Sequence, residues 1–465
     1  MPREKKPAAP RGSAVRKLAP VVPLAIALLH GALTKHQAPT PAPSPAPPVV
    51  TESARTPSGA PSLSGCGVTV PCPMLAKGKP VMWWFVYKLK QKEFPMCGAP
   101  TDADGADRRT CAFGGKKQTT PYGLRYIFAS SVDPTLTDGG QECLGNTKDD
   151  PVGATFAEVW DSGFHFVIWN DQFYDTDPKV EICSKGDCGA PWGHSKGILV
   201  WNDQGEGFVM QVSTPEWPGA ARSAAQRKIG NTLGCHSADN DVQVAQHFFA
   251  LRLKRSEVVQ LLGAMKDAGV VTDPNTAQLA EIGGPADVEE AAKALGNKPN
   301  INDPIVAKSV GLSSGVTLLW KSSNLNAPTW QAVSSMLGGV SLRTATWTAS
   351  PPIAPTTKAD GKPACWNDGL LKHPPGAVDI AKQGSWDGVT FGLGSGANHA
   401  KLGVSTDGKS PLVIFGDENQ QGTLDGVGLT AGCAASQNGR GGMFFALSDP
   451  TLFAGVTKLL AEPKP

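Results

Sequence analysis

The sequence predicts two α/β halves lying side by side with a cleft between them. Three observations carry this. From Val81 onward, short apolar runs rich in aromatic and β-branched residues alternate with turns, and helical patterns are interspersed among them. That order of strands and helices recurs after a polar, Gly/Pro-interrupted stretch at residues 270–306. In each half a His-x-Lys pair opens a strand, His194/Lys196 in the first and His399/Lys401 in the second.

In the first half, strands are expected at 81–90 (VMWWFVYKLK), 123–130 (GLRYIFAS), 164–170 (FHFVIWN), 197–202 (GILVWN) and 207–213 (GFVMQVS). The last two are joined by DQGEG, a Gly-containing turn, and read as a hairpin. Residues 243–253 (QVAQHFFALRL) and 256–269 (SEVVQLLGAMKDAG) read as helical. The connecting segment carries one helical stretch, ADVEEAAKALG. In the second half, 315–323, 340–348, 389–394, 401–406 and 411–417 read as strands. Residues 328–339 form a helix ending in glycine, and a terminal amphipathic helix covers about 449–461. The expected domains are a catalytic half at 65–269, a connection at 270–308 and a second catalytic half at 309–465.

The N-terminus reads as an export segment. Residues 1–36 hold seven of the 43 Lys/Arg but one of the 41 Asp/Glu. Their basic stretch leads into an apolar run, LAPVVPLAIALLHGALT, too short and too broken by proline for a comfortable membrane span. A Pro/Ala/Ser-rich linker follows to residue 64. The mature protein is then expected outside the cytoplasm, secreted or periplasmic, with no stable membrane span. Its folded part is mildly acidic, so nucleic acid would be bound at a local site and not over a broad basic surface. Ten cysteines follow the export segment, an even number that allows up to five disulfides. Cys183 and Cys188 are close enough for a small loop disulfide, and Cys365 with Cys433 is a further pairing. There is no C-x-x-C pair and no H-E-x-x-H, so no metal or other cofactor is expected. DADGAD (102–107) misses the calcium-loop spacing and reads as a solvated loop.

The chemistry concentrates in the two His-x-Lys pairs, 205 residues apart in matching strand–turn–strand settings. Side chains alternate along a strand, so a histidine and a lysine two apart share a face. Two imidazoles and two ammonium groups round one cleft suit phosphodiester cleavage: one imidazole attacks phosphorus, the other protonates the leaving oxygen, and the lysines hold the non-bridging oxygens. The competing reading makes each lysine a strand-edge charge and each histidine a hydrogen-bonded lip residue. The letters WNDQ also occur twice, at Trp169–Gln172 and Trp201–Gln204, on two strands expected to end near the cleft.

The residues around these pairs favour the catalytic reading. The chain resembles deoxyribonuclease II, a branch of the phospholipase D superfamily, over most of residues 72–460. The resemblance is carried by WWFVYKL (83–89), FVIWNDQ (166–172), GHSKGILV (193–200), PEWP after Ser213, NAPTWQAVSSMLGG (326–339), NHAKLGVS (398–405), GDENQQ (416–421) and RGGMFFAL (440–447). It implies a phospholipase D-like fold, two αβ sandwich halves related by pseudo-twofold symmetry with the active site between them. It also implies a secreted or lysosomal type of acid endonuclease that needs no metal, cuts DNA without sequence preference and leaves 3′-phosphate and 5′-hydroxyl ends. His194 and His399 would be the catalytic pair, with Lys196 and Lys401 as phosphate clamps and His194 as the nucleophile that becomes a phosphohistidine. Ser213 and Asn419 match positions completing the two phosphate-binding motifs. Asp417, Asn170 and Gln172 are further candidates for substrate binding, and Cys72 and Cys235 match a family disulfide.

The chain departs from the pattern in places. Trp201 stands where the wider superfamily carries an aspartate five residues after the lysine, Val212 where the animal enzymes have a histidine, and Glu216 where asparagine is expected. His165 reads as a strand-face residue and His236 as structural. Trp192 is either a base-stacking platform or core. Three other functions stay open: a lipid phosphodiesterase, which requires a hydrophobic entrance; an inactive exported binding protein of the same fold; and a purely structural exported protein, which would place His194 and His399 far apart.

Overall fold

Strict alternation of side chains, read strand by strand, divides the interior into layers. In β1 (Trp83–Lys88) Trp83, Phe85 and Tyr87 face one apolar cluster while Trp84 and Val86 face another. The same split holds in β5 (Lys196–Trp201) and in β7 (Gln246–Leu253), whose eight residues are all buried. These strands are covered on both faces, which is why they read as near-continuous apolar runs. Residues 243–253 correct the expectation of a helix. An apolar run buried on both faces has no period to distinguish strand from helix, and Gln246–Leu253 pairs antiparallel with both β1 and β6 (Gly207–Val212).

The structure, a computed structural model, describes residues 62–94, 124–140, 144–145, 148–160, 163–173, 182, 188–215, 217, 243–349 and 351–461. The export segment, most of the linker, DADGAD, His236, Glu216 and Cys97, Cys111, Cys143, Cys183 and Cys235 lie outside them. The described residues form a mixed α+β structure with two large sheets. The first runs β3-β2-β1-β7-β6-β5-β4-β8, entirely antiparallel, adding β2 (Tyr126–Ser130), β3 (Thr137–Asp138), β4 (His165–Asn170) and β8 (Ala280–Glu281). The second runs β12-β11-β15-β16-β17-β10-β9. Its strands are β9 (Ala307–Gly311), β10 (Thr317–Lys321), β11 (Leu342–Ala345), β12 (Val378–Ile380), β15 (Leu402–Ser405), β16 (Leu412–Gly416) and β17 (Gly442–Ser448). Only the β11–β12 pair is parallel. A two-stranded ribbon, β13 (Gln383–Trp386) with β14 (Val389–Gly392), stands apart.

The two sheets share one core. Phe249 of β7 stacks on Phe415 of β16 with centroids 4.2 Å apart, and Phe85 and Phe445 close on the same pair. Helix α2 (Arg255–Ala268) completes this layer with Val258, Leu261, Leu262 and Met265. Its first turn is held by the Glu257 carboxylate, which accepts from the Lys254 amide at 2.8 Å. The outer faces are covered by α1 (Pro151–Trp160) on the first sheet and α4 (Thr329–Met336) on the second. Helix α3 (Ala286–Lys293) packs on α2, and α5 (Pro450–Leu459) starts on Asp449, whose carboxylate accepts from the Leu452 amide. Among the described residues no helix is long and apolar enough to cross a membrane.

Cysteine pairing differs from one expectation. Cys365 joins Cys433, as anticipated, but Cys72 joins Cys66, six residues away, and so is not available to Cys235. The short loop Gly65–Val70 turns back on itself through amide bonds to the Gly65 carbonyl and brings the two sulfurs together.

Candidate active site

Lys196 opens β5 and Lys401 immediately precedes β15, and the sheets bring these two strand entrances to one cavity of about 300 Å³. His194, Lys196, His399 and Lys401 all line it, together with Ser213, Asn419 and Gln172. Each histidine is anchored by the other sheet's chain. The His194 amide donates to the Gly441 carbonyl, just before β17, at 2.8 Å; the His399 amide donates to the Ala245 carbonyl, just before β7, also at 2.8 Å. Close backbone approach makes the first crossing possible. A Cβ on Gly193 or on Gly441 would lie 2.7 or 2.1 Å from the Ala268 carbonyl oxygen at the end of α2, so both positions require glycine.

The two imidazoles are held oppositely. His194 Nδ1 lies 2.7 Å from the Asp417 backbone carbonyl. A carbonyl only accepts, so Nδ1 carries the hydrogen and Nε2 the lone pair. His399 Nδ1 lies 3.2 Å from Gln246 Nε2, an amide donor, so Nδ1 holds the lone pair and the neutral ring carries its hydrogen on Nε2. The Gln246 amide is oriented by Ser213. The Ser213 hydroxyl accepts from the His247 amide at 2.9 Å and donates to Gln246 Oε1 at 2.5 Å. Burial depresses the pKa of both rings well below the usual histidine value, and nearby Lys196 and Lys401 push the same way.

Around them lies a charge network that crosses between the sheets. Asp171, just past β4, receives Lys196 Nζ on one carboxylate oxygen and Arg440 Nη2 on the other, the latter at 2.8 Å. Burial alone would raise its pKa, but Lys196, His194 and Arg440 overcome that and hold it ionised. Lys401 Nζ donates to the His399 carbonyl at 2.6 Å. Behind Arg440, the buried Lys321–Glu418 pair, 3.4 Å apart, fixes the loop before β17: Lys321 donates to the carbonyls of Gln437, Asn438 and Arg440.

Two of the expected substrate contacts sit one layer back. Asn170 is fully buried and ties the ends of β4 and β6, donating to the carbonyls of Thr214 and Trp217. The Asp417 carboxylate turns away from the cavity to accept from Gln211 Nε2 and the Met443 amide, each at 2.9 Å, while burial lifts its pKa to about 7. Trp192 is core, with its carbonyl accepting from Arg440. The aromatic ring at the cavity is that of Trp347, 4.9 Å from the His399 ring. The second WNDQ is also placed elsewhere. Strands β4 and β5 are antiparallel, with Asn170 opposite Lys196 and His165 opposite Trp201, so Trp201–Gln204 ends at the far edge of the sheet. There Asp203 is exposed and pairs with His165.

The sequence does not mark Arg440, Gln246 or Trp347 as site residues, and it offers Asp171 only within the strand-end triplet Asn170–Asp171–Gln172, read as shaping the cleft. Asp171 and Arg440 stood inside stretches quoted for the family resemblance, FVIWNDQ and RGGMFFAL, which was the available signal. Gln246 was hidden by the helical reading of its strand. Among the described residues, no group of three or more His, Cys, Asp or Glu is placed to hold a metal ion.

A polar cavity between antiparallel sheets, with two imidazoles and three cationic side chains converging on it, defines a protein built to handle an anionic substrate. The family model for deoxyribonuclease II matches residues 111–462, and the chain belongs to that family. No curated protein matches it significantly. The protein is accordingly a hydrolytic nuclease, a phosphodiesterase whose substrate is DNA.

Proposed function

We propose that the protein is a metal-independent acid endodeoxyribonuclease that works through a phosphohistidine on His194. The observation that carries this reading is the tautomer of His194: a backbone carbonyl faces its Nδ1, which leaves the lone pair on Nε2. His194 Nε2 therefore offers a lone pair. When His399 is protonated both its nitrogens carry hydrogen, and the Gln246 amide turns so that Oε1 accepts from Nδ1 while Nε2 offers its proton. In the first step His194 Nε2 forms a bond to phosphorus, the P–O5′ bond breaks, and protonated His399 gives its proton to the departing O5′. In the second, neutral His399 takes a proton from water, the resulting hydroxide attacks phosphorus, and the P–N bond breaks to leave a 3′-phosphate. Lys196 and Lys401 stabilise the charge that develops on the non-bridging oxygens. Ser213 acts through Gln246, while Asn419 and Gln172 line the path of the substrate. Asn170 and Asp417 act indirectly, by holding strand ends and His194.

The halves are proposed to be related by a pseudo-twofold axis, as in the phospholipase D-like fold. Support comes from matching strand orders, β1-β7-β6-β5-β4 against β10-β17-β16-β15-β11, and from the reciprocal amide bonds of the two histidines. The catalytic halves are 65–269 and 309–465. The disulfides fit an oxidising compartment, and the N-terminal 36 residues are proposed to direct export there.

The test is plasmid cleavage with a chelator present, at acidic and neutral pH, comparing wild type with His194→Ala and His399→Ala. Cleavage is expected in wild type alone, and rapid quench should trap the 3′-phosphoryl fragment on His194. Loss of wild-type activity with chelator, or full activity in either variant, refutes the mechanism.

A further inference from the structure

Arg440 belongs to the second sheet's chain, yet its guanidinium lies against the first. Nε donates to the Trp192 carbonyl at 3.0 Å; Nη2 donates to Asp171 and Gly193 at 2.8 Å each and to the Cys188 carbonyl. Those bonds use one side of the guanidinium. Among the described residues Nη1 has no protein partner, and it is not one of the sealed, unpaired polar atoms of the interior. Arg440 lines the same cavity as both histidines and both lysines.

The charge balance points the same way. Asp171 is a single carboxylate shared between Lys196 and Arg440, so that cluster retains one positive charge. Arginine is suited to this position. It stays charged at any working pH, and its planar fork can satisfy fixed carbonyls on one edge while presenting N–H groups to an oxyanion on another.

We infer that Arg440 binds a non-bridging oxygen of the substrate phosphodiester through Nη1, as a third cationic ligand beside Lys196 and Lys401. This rests on the reading of the cavity as a phosphodiester site, where the single Asp171 carboxylate balances only one of the two charges of Lys196 and Arg440.

The experiment measures binding of a short DNA duplex to His194→Ala protein by fluorescence anisotropy over a series of salt concentrations, with and without Arg440→Gln. Removing one phosphate contact should weaken binding and lower the slope of log K against log salt by about 0.9. An unchanged slope overturns the inference, because a residue that merely ties the two sheets would alter stability and leave the slope alone. Binding needs no turnover, so this result is separate from the fate of the histidine mechanism, which the His194→Ala cleavage assay decides. Should Arg440→Gln fail to fold, Arg440→Lys in otherwise wild-type protein settles the point through inhibition by inorganic phosphate. Loss of the fork should raise the inhibition constant about tenfold, and an unchanged constant overturns the inference.

Discussion

The His194 Nδ1 hydrogen points at the backbone carbonyl of Asp417, 2.7 Å away and 223 residues further along the chain. A carbonyl oxygen cannot donate, so this contact holds one tautomer at any pH where the ring is neutral. Its counterpart, the Gln246 amide on His399, is made by a side chain and can be changed. Gln246→Glu places a carboxylate beside Nδ1 of His399. An adjacent negative charge favours the imidazolium, so the depressed pKa of His399 rises. The alkaline limb of the kcat/KM profile, which falls below the ordinary histidine value in wild type, should move up by about one unit or more. Gln246→Leu removes the donor without adding charge and should lower kcat while leaving the limb nearly in place. A Gln246→Glu profile superimposable on wild type would mean that His399 is not the acid.

Asp171 holds Lys196 on one oxygen and Arg440 on the other, and all three are buried. Asp171→Asn leaves two cations without their shared counter-charge. Breaking such a buried pair costs on the order of 3–5 kcal/mol, visible as a lower urea midpoint. Displacement of Lys196 by about an ångström should cost roughly a hundredfold in kcat/KM. The carboxylate beside Lys196 comes from Asp171, just past the neighbouring strand β4.

The Cys365–Cys433 disulfide closes 68 residues, a loop that contains His399, Lys401 and Asn419. Replacing both cysteines by alanine should destabilise the protein by about 2–5 kcal/mol. The check is thermal unfolding followed together with activity, which should be lost at a correspondingly lower temperature.

Where side chains alternated or bulky residues bunched, the sequence was enough to find strands: β1, β5, β6, β10 and β16 fall where expected. Where a strand is buried on both faces, as in β7, periodicity vanished and a helix was inferred in its place. The four residues of the paired motif stand out in the sequence by their repeated spacing, although only Lys196 lies within a strand: His194 precedes β5, and His399 and Lys401 precede β15. Arg440, Gln246 and Trp347 do not, because their roles depend on contacts across the two sheets, and no local pattern records which carbonyl or ring they meet. Asp171 shows the same limit at short range. The triplet Asn170–Asp171–Gln172 is legible as a strand end shaping the cleft, but which member meets Lys196 depends on side-chain contacts: Asp171 binds Lys196, while Asn170 turns into the core.

Stability should depend on pH in a direction set by three buried histidines. Burial depresses the pKa of His194, His247 and His399 in the folded protein. The unfolded chain therefore binds more protons than the folded one once pH falls below the ordinary histidine value, and stability drops as pH falls. Each histidine contributes up to about 1.4 kcal/mol per pH unit in that range. Asp417 and Glu418 act in the opposite sense. Burial raises their pKa values, Asp417 to about 7, so the folded state keeps protons that the unfolded chain has lost, and their contribution is greatest in acid and fades as pH rises through the folded value. Between about pH 7 and pH 5 the histidines lower stability as acid is added, and Asp417 and Glu418 oppose that loss. Asp417→Asn removes one opposing group, so its unfolding free energy should decline more steeply with acid than that of wild type. His247→Gln, which lies behind the cavity, should decline less steeply. Urea unfolding at several pH values measures all three slopes. Equal slopes in wild type and His247→Gln would show that His247 does not exchange its proton on unfolding.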